Sequence, residues 1–198
     1  MGLFDFFKHK QKPKPYKMEM EKPSIEQTAF TDNVLEIISP TVEKFGFKLD
    51  KTEIKTYWTT IVWRKENQYV EVKGTNYPTD YPYYYNIVLG AGSSDNFLES
   101  DWNSVAIWAL ARIIEPSANI NSYEFPFGDS IKFSLTAANK HLLKYGETFL
   151  GGDLTIFEQA RKLINEKREP YKIHSPDSNG KYKTTVDPKS AEQKKKFS

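Results

Sequence analysis

No cysteine occurs among the 198 residues. That excludes disulfides, thiolate metal sites and cysteine nucleophiles, and it fits a reducing compartment, so a cytoplasmic location is expected. No run of about 18 apolar residues exists to span a bilayer, and the short apolar patch at the N-terminus is too brief for the core of a secretory signal. Histidine is scarce: His9, His141 and His174. Two of them fall in the polar ends of the chain, where nothing would hold them with the precision catalysis requires. His141 has no second His or Cys beside it to build a metal site, and it reads as an ordinary helix residue near a C-terminus. Apolar residues make up 38%, which is low, but 12 Tyr, 13 Phe and 4 Trp enlarge the area each buried side chain removes from water.

The charge is small in sum and uneven in place. Residues 1–24 carry six Lys against three acids and residues 170–198 seven Lys against three, so the 25–169 stretch holds −5 of a net +2. An acidic body between basic arms is expected: an arm over 1–24, one domain over 25–169, and a disordered lysine-rich tail over 170–198.

The richest run of β-branched and aromatic residues lies between 56 and 90. Tyr57, Thr59, Ile61 and Trp63 fall on one side of an extended chain, and Trp58, Thr60, Val62 and Arg64 on the other. The alternation resumes at Tyr69 after Lys65-Glu66-Asn67-Gln68, and at Tyr83 after Asn76–Pro82. With Phe47–Ile54 as a first strand, this predicts an antiparallel meander of about four strands. Helical spacing in Phe30, Val34, Ile37, Ile38, Thr41 and Phe45 predicts a helix stopped by Gly46, with Pro40 either kinking it or opening a second one. Further helices are expected over 102–115 with a cap at Asp101 or Ser100, from Asp129 or Ser130 to a stop at Gly146, and from Asp153 to about Glu169. The irregular aromatic segment 117–128 has room for a short edge strand. The fold class is therefore α+β, a sheet of about four strands packed on one face by three to four helices.

Chemical signals are weak. Gly90-Ala91-Gly92-Ser93-Ser94-Asp95 has a phosphate-loop flavour, but Asp95 stands where a third glycine belongs and the expected helix cap comes six residues later. Carboxylates gather in the loops (Asp80, Asp95, Glu99, Asp101, Glu124, Asp129), where capping and solvation account for them; a hydrolase using the 77–101 loops is a minor alternative. No pattern asks for a metal or a cofactor, and nothing points to turnover. Met1–Phe7 would gather Leu3, Phe4, Phe6 and Phe7 on a short amphipathic segment backed by lysines, a candidate membrane contact. Myristoylation at Gly2 is ruled out because Phe6 replaces the required Ser or Thr.

The aromatic group is the strongest candidate. Tyr77, Tyr81, Tyr83, Tyr84 and Tyr85, with Trp58, Arg64 and Asp80, form the expected binding set, because period two sends alternate rings away from the core face. Tyr84, Tyr83 or Tyr85 should therefore be exposed, and such rings anchor protein interfaces. They also stack single-stranded bases, but the acidic body disfavours nucleic acid.

The helix ending Phe45-Gly46-Phe47, the strand bearing Trp63-Arg64 and the strand ending Asn86–Gly90 make the chain similar, over about residues 30–115, to small α+β domains of uncharacterised bacterial proteins, including toxin-immunity proteins. That resemblance implies a two-layer fold and a non-enzymatic binding role, and it supplies no catalytic residues. The expected function is a protein-binding module, with a membrane-surface adaptor, peripheral to the inner membrane surface, as the alternative.

Overall fold

The computed structural model describes residues 22–176 and 179–198. Leu3, Phe4, Phe6 and Phe7, the expected membrane contact, lie outside the described residues.

The meander forms as its alternation dictates. β1 (Lys48–Ile54), β2 (Trp58–Lys65), β3 (Gln68–Thr75) and β4 (Tyr84–Ala91) pair antiparallel in sequence order, with Asp50 bulging out of register between β1 and β2. The free edge of β4 takes two short strands more, β5 (Ser104–Ala106) near its end and β6 (Tyr123–Glu124) near its start. The sheet thus has six strands rather than four.

One face is sealed by two long helices. α1 (Ile25–Glu43) begins where the Ser24 side chain accepts from the Gln27 N–H at 3.1 Å, and it runs through Pro40 as a single helix. Its stripe of Phe30, Val34, Ile38 and Val42 is wholly buried against Ile61, Trp63, Val70, Val72, Tyr85, Ile87 and Leu89. α4 (Ser130–Leu150) packs beside it with Ile131, Leu135, Ala138 and Leu142. Polar groups trapped under α1 satisfy one another: Thr59 donates to Gln27 Oε1 at 2.7 Å, and Gln27 Nε2 donates to Asn76 Oδ1 at 2.7 Å. The core therefore holds few orphan groups on this side.

Three sequence expectations are corrected. Gly146 does not end α4, which continues to Leu150. A Cβ at 146 would stand 3.2 Å from Ile107 and 3.3 Å from Leu142, so this glycine serves close packing instead of termination. The single helix expected over 102–115 is two. α2 (Phe97–Trp102) is capped by Asn96, and α3 (Ile107–Ile114) follows β5. The break occurs because Asn103 hydrogen-bonds the β4 edge: its side chain donates to the Ala91 carbonyl at 2.6 Å and its own carbonyl accepts from Ala91 N–H at 3.1 Å. An unpaired strand edge outcompetes helix continuation.

The tail is the third. Residues 170–198, expected to be disordered, carry an antiparallel ribbon of β7 (Lys172–Pro176) and β8 (Tyr182–Val186), then α6 (Pro188–Phe197). α6 docks through Phe197 and Ser190, both buried, and α5 (Thr155–Glu166) holds it. The amide of Asn165 donates to the carbonyls of Trp102 (2.8 Å) and Phe197 (3.2 Å). These groups, with Lys194 Nζ donating to the Arg168 carbonyl at 2.6 Å, tie down a segment whose composition is otherwise that of a solvated tail.

Candidate functional site

The second face of the sheet receives the other half of the alternation: Trp58, Thr60 and Val62 from β2, Glu71 and Lys73 from β3, Asn86 and Val88 from β4, Ala106 from β5. Part of this face is closed. Tyr69 lies flat across Gly90, where a Cβ would land inside its ring, and the Arg64 guanidinium sits 5.6 Å from the Tyr69 ring centre. Burial raises the Tyr69 hydroxyl above the usual phenol range. Trp102 of α2 is fully buried nearby, with the Arg168 guanidinium 4.5 Å from its ring centre.

The rest stays open as a groove of adjoining depressions. One, lined by Trp58, Thr60, Val62, Glu71, Lys73, Phe97 and Ser100, has a volume of about 160 Å³. Its neighbour, of about 360 Å³, shares Glu71, Lys73, Phe97 and Ser100 and extends past Asn86 and Val88 to Trp108. Trp108 then borders a third, of about 400 Å³, with Tyr84, Arg112 and Glu124. The walls are aromatic: Trp58, Trp108 and Tyr84 are partly exposed, and Phe97 is 68% exposed. The floor is polar and deep. Glu71 is 9% exposed and pairs with Lys73 at 3.4 Å, while Thr60 is 6% exposed and its hydroxyl has no hydrogen-bond partner. A buried hydroxyl left unpaired costs about 1–3 kcal/mol, and this one is sealed from the groove as it is from solvent. Trp108 Nε1 donates to Asn86 Oδ1 at 2.9 Å, which fixes that ring as a wall.

The expected tyrosine set is divided by the fold. Trp58 and Tyr84 line the groove. Tyr77, Asp80 and Tyr81 sit exposed on the connection before β4, where Tyr81 meets Tyr83 edge-on at 5.5 Å and Tyr83 in turn meets Phe127. Tyr85 does not belong to any surface. It is 0% exposed, stacks on Tyr123 at 5.0 Å and shares a hydrogen bond of 2.9 Å with Ser134 of α4, because period two puts it on the core face. Arg64 is committed elsewhere: it donates to Asp50 (3.2 Å), to the Gly92 carbonyl (2.9 Å) and to Ser94 (2.8 Å), pinning the 90–95 loop that had suggested a phosphate site.

The other candidates resolve into structure. His141 stacks on Tyr123 at 5.9 Å and takes part in a 3.2 Å hydrogen bond with its hydroxyl; burial and the Lys144 charge lower its pKa. Asp95 pairs with Lys51 at 3.3 Å, and Asp101 is engaged by both Arg168 and Tyr171. Among the described residues no group of three or more His, Asp or Glu could hold a metal ion, and no helix is long and apolar enough to cross a membrane.

Sequence reasoning missed Glu71, Lys73, Asn86, Phe97 and Trp108 as groove residues. The usable signal was polar residues at alternate positions of otherwise apolar strands, Glu71 and Lys73 in β3 and Asn86 in β4. Phe97 and Trp108 carried none, since their placement depends on the break at Asn103. No family model, no curated protein and no solved structure matches this chain.

Proposed function

We propose that the protein is a non-enzymatic binding module whose open sheet face receives a segment of a partner protein. The observation that carries this reading is the groove floor, where the deeply placed Glu71 and its partner Lys73 lie between Trp58, Phe97 and Trp108. Tryptophan, tyrosine and phenylalanine walls around a desolvated polar floor are how interfaces concentrate their energy. The groove crosses several strands as three adjoining depressions, a shape suited to an extended chain segment. The acidic body favours a cationic partner on encounter, the arrangement an immunity protein would present to a basic toxin.

The test is photo-crosslinking in the source cells, with a photoreactive residue at position 97 compared with position 133 on the helical side. A partner captured at 97 and absent at 133 supports the proposal; capture at 133 alone overturns it. Against that partner, Phe97→Ala and Trp58→Ala are each expected to cost about 2 kcal/mol, roughly 30-fold in affinity. Thr60→Val should raise the stability of the free protein by about 1 kcal/mol, because it removes a buried unsatisfied hydroxyl.

A further inference from the structure

The ribbon of β7 and β8 stands apart from the groove reading. Every residue of both strands is exposed. Its base is fixed: Asp187 N–H donates to the Tyr171 carbonyl at 2.8 Å, and Tyr171 N–H donates to Ser190 Oγ at 2.9 Å. Beyond that base the strands pair with one another, Ile173 opposite Thr185 and Pro176 opposite Tyr182. A two-stranded ribbon with nothing packed on it is marginal in water. This one also leaves Tyr182 (77% exposed), Val186 and Ile173 in solvent.

The surroundings of these apolar groups are cationic. Lys172 and Lys183 are exposed on the ribbon, and Lys189, Lys195 and Lys196 are exposed on the adjoining α6. Residues 170–198 contain seven Lys and no Arg, while the 25–169 body carries −5. Seven Lys against three acids leave +4 in this segment, beside an acidic body.

We propose that the ribbon and α6 form a docking surface for an anionic lipid bilayer. Cross-strand partners share a face, so Tyr182 and Val186 lie with Lys172 and enter the interfacial layer while the lysines meet the headgroup charges; Ile173 lies on the other face with Lys183. Charge complementarity selects an anionic occupant. The residue types then choose among anionic occupants. Lysine is a hydrated point charge on a flexible stem, suited to a diffuse charged surface, whereas bidentate recognition of nucleic-acid phosphates and bases draws on arginine. A tyrosine beside aliphatic side chains is at home at the membrane–water interface. The acidic body is repelled by the same surface, which orients the molecule with the ribbon toward lipid. One weak element gives only reversible adhesion.

The experiment is flotation of the full chain with vesicles of phosphatidylcholine, with and without phosphatidylglycerol. Binding is expected to vesicles containing phosphatidylglycerol and to weaken with salt. Neutralising the ribbon with Lys172→Gln plus Lys183→Gln should lower partitioning roughly fivefold per lysine, about 25-fold together. Tyr182→Ser should lower it as well. All three positions are exposed, so the fold is untouched. The proposal is overturned if the full chain floats with neither vesicle or equally with both, or if the double variant floats like the parent. Loss of single-stranded oligonucleotide binding in the double variant, with no vesicle binding by the parent, reassigns the ribbon to nucleic acid. Because Trp58 lines the groove and takes no part in the Phe97–Tyr171 stack at the ribbon's base, flotation of Trp58→Ala separates this surface from the groove: floating normally while failing to bind a protein partner keeps the two apart.

Discussion

Gly90 shows what a missing side chain does at the scale of one residue. Tyr69 can lie across the sheet because nothing projects from position 90, and Arg64 then stacks over that ring while its donors hold the 90–95 loop. Gly90→Ala therefore drives a methyl into the ring, and the neighbours are themselves packed. The expected cost is about 3 kcal/mol, read as a lower urea midpoint with an unchanged slope. A variant as stable as the parent would mean that Tyr69 swings away freely. The same scale shows the reach of alternation. It separated Thr59, Ile61 and Trp63 from Trp58, Thr60 and Val62 correctly, since that division needs no partner to be known. It left open which of Tyr83, Tyr84 and Tyr85 faces inward, because register is set by pairing: Gly74 opposite Tyr85 places that ring on Phe30.

Among elements, the decisive contacts are between segments distant in sequence. Asn165, buried on α5, is the tie between α2 and α6. Asn165→Ala removes both bonds and strands two carbonyls, an expected loss of about 2–3 kcal/mol. Hydrogen exchange should rise most in 188–197, and uniform protection across the chain would refute that local role. This tie explains why the tail could not be foreseen. Its lysines and prolines describe a solvated segment, and Phe197 signals docking only once Arg161, with its guanidinium 5.1 Å from that ring, is known to stand beneath it. The same holds for the split at Asn103. Local periodicity over 102–115 is helical, and the competing edge of β4 is invisible until the sheet is assembled. The meander and the two long helices were legible because their patterns are local; the groove was legible in its floor and not in its walls.

For the molecule as a whole, burial of phenols links stability to alkaline pH. Tyr69, Tyr85 and Tyr123 are raised by burial, Tyr85 to about 12 from its ordinary value of 10.0. A phenol whose pKa is higher folded than unfolded contributes stability in full below pH 10, and that contribution is lost as pH rises through about 12. Tyr85 alone accounts for roughly 2–3 kcal/mol of that loss. Titrating tyrosinate absorbance alongside near-ultraviolet dichroism should show a late ionisation step that coincides with loss of tertiary signal. Complete ionisation with the dichroism intact would refute it.

Phe97 stands in two places at once. It borders the groove, and it stacks on Tyr171, the residue from which the ribbon departs, at 6.1 Å and 19°. Whatever draws that ring toward the groove takes a prop from under the ribbon. If both proposed surfaces are occupied, a groove ligand that moves this ring alters the affinity of the ribbon for lipid, and the factor it imposes must be returned in equal measure.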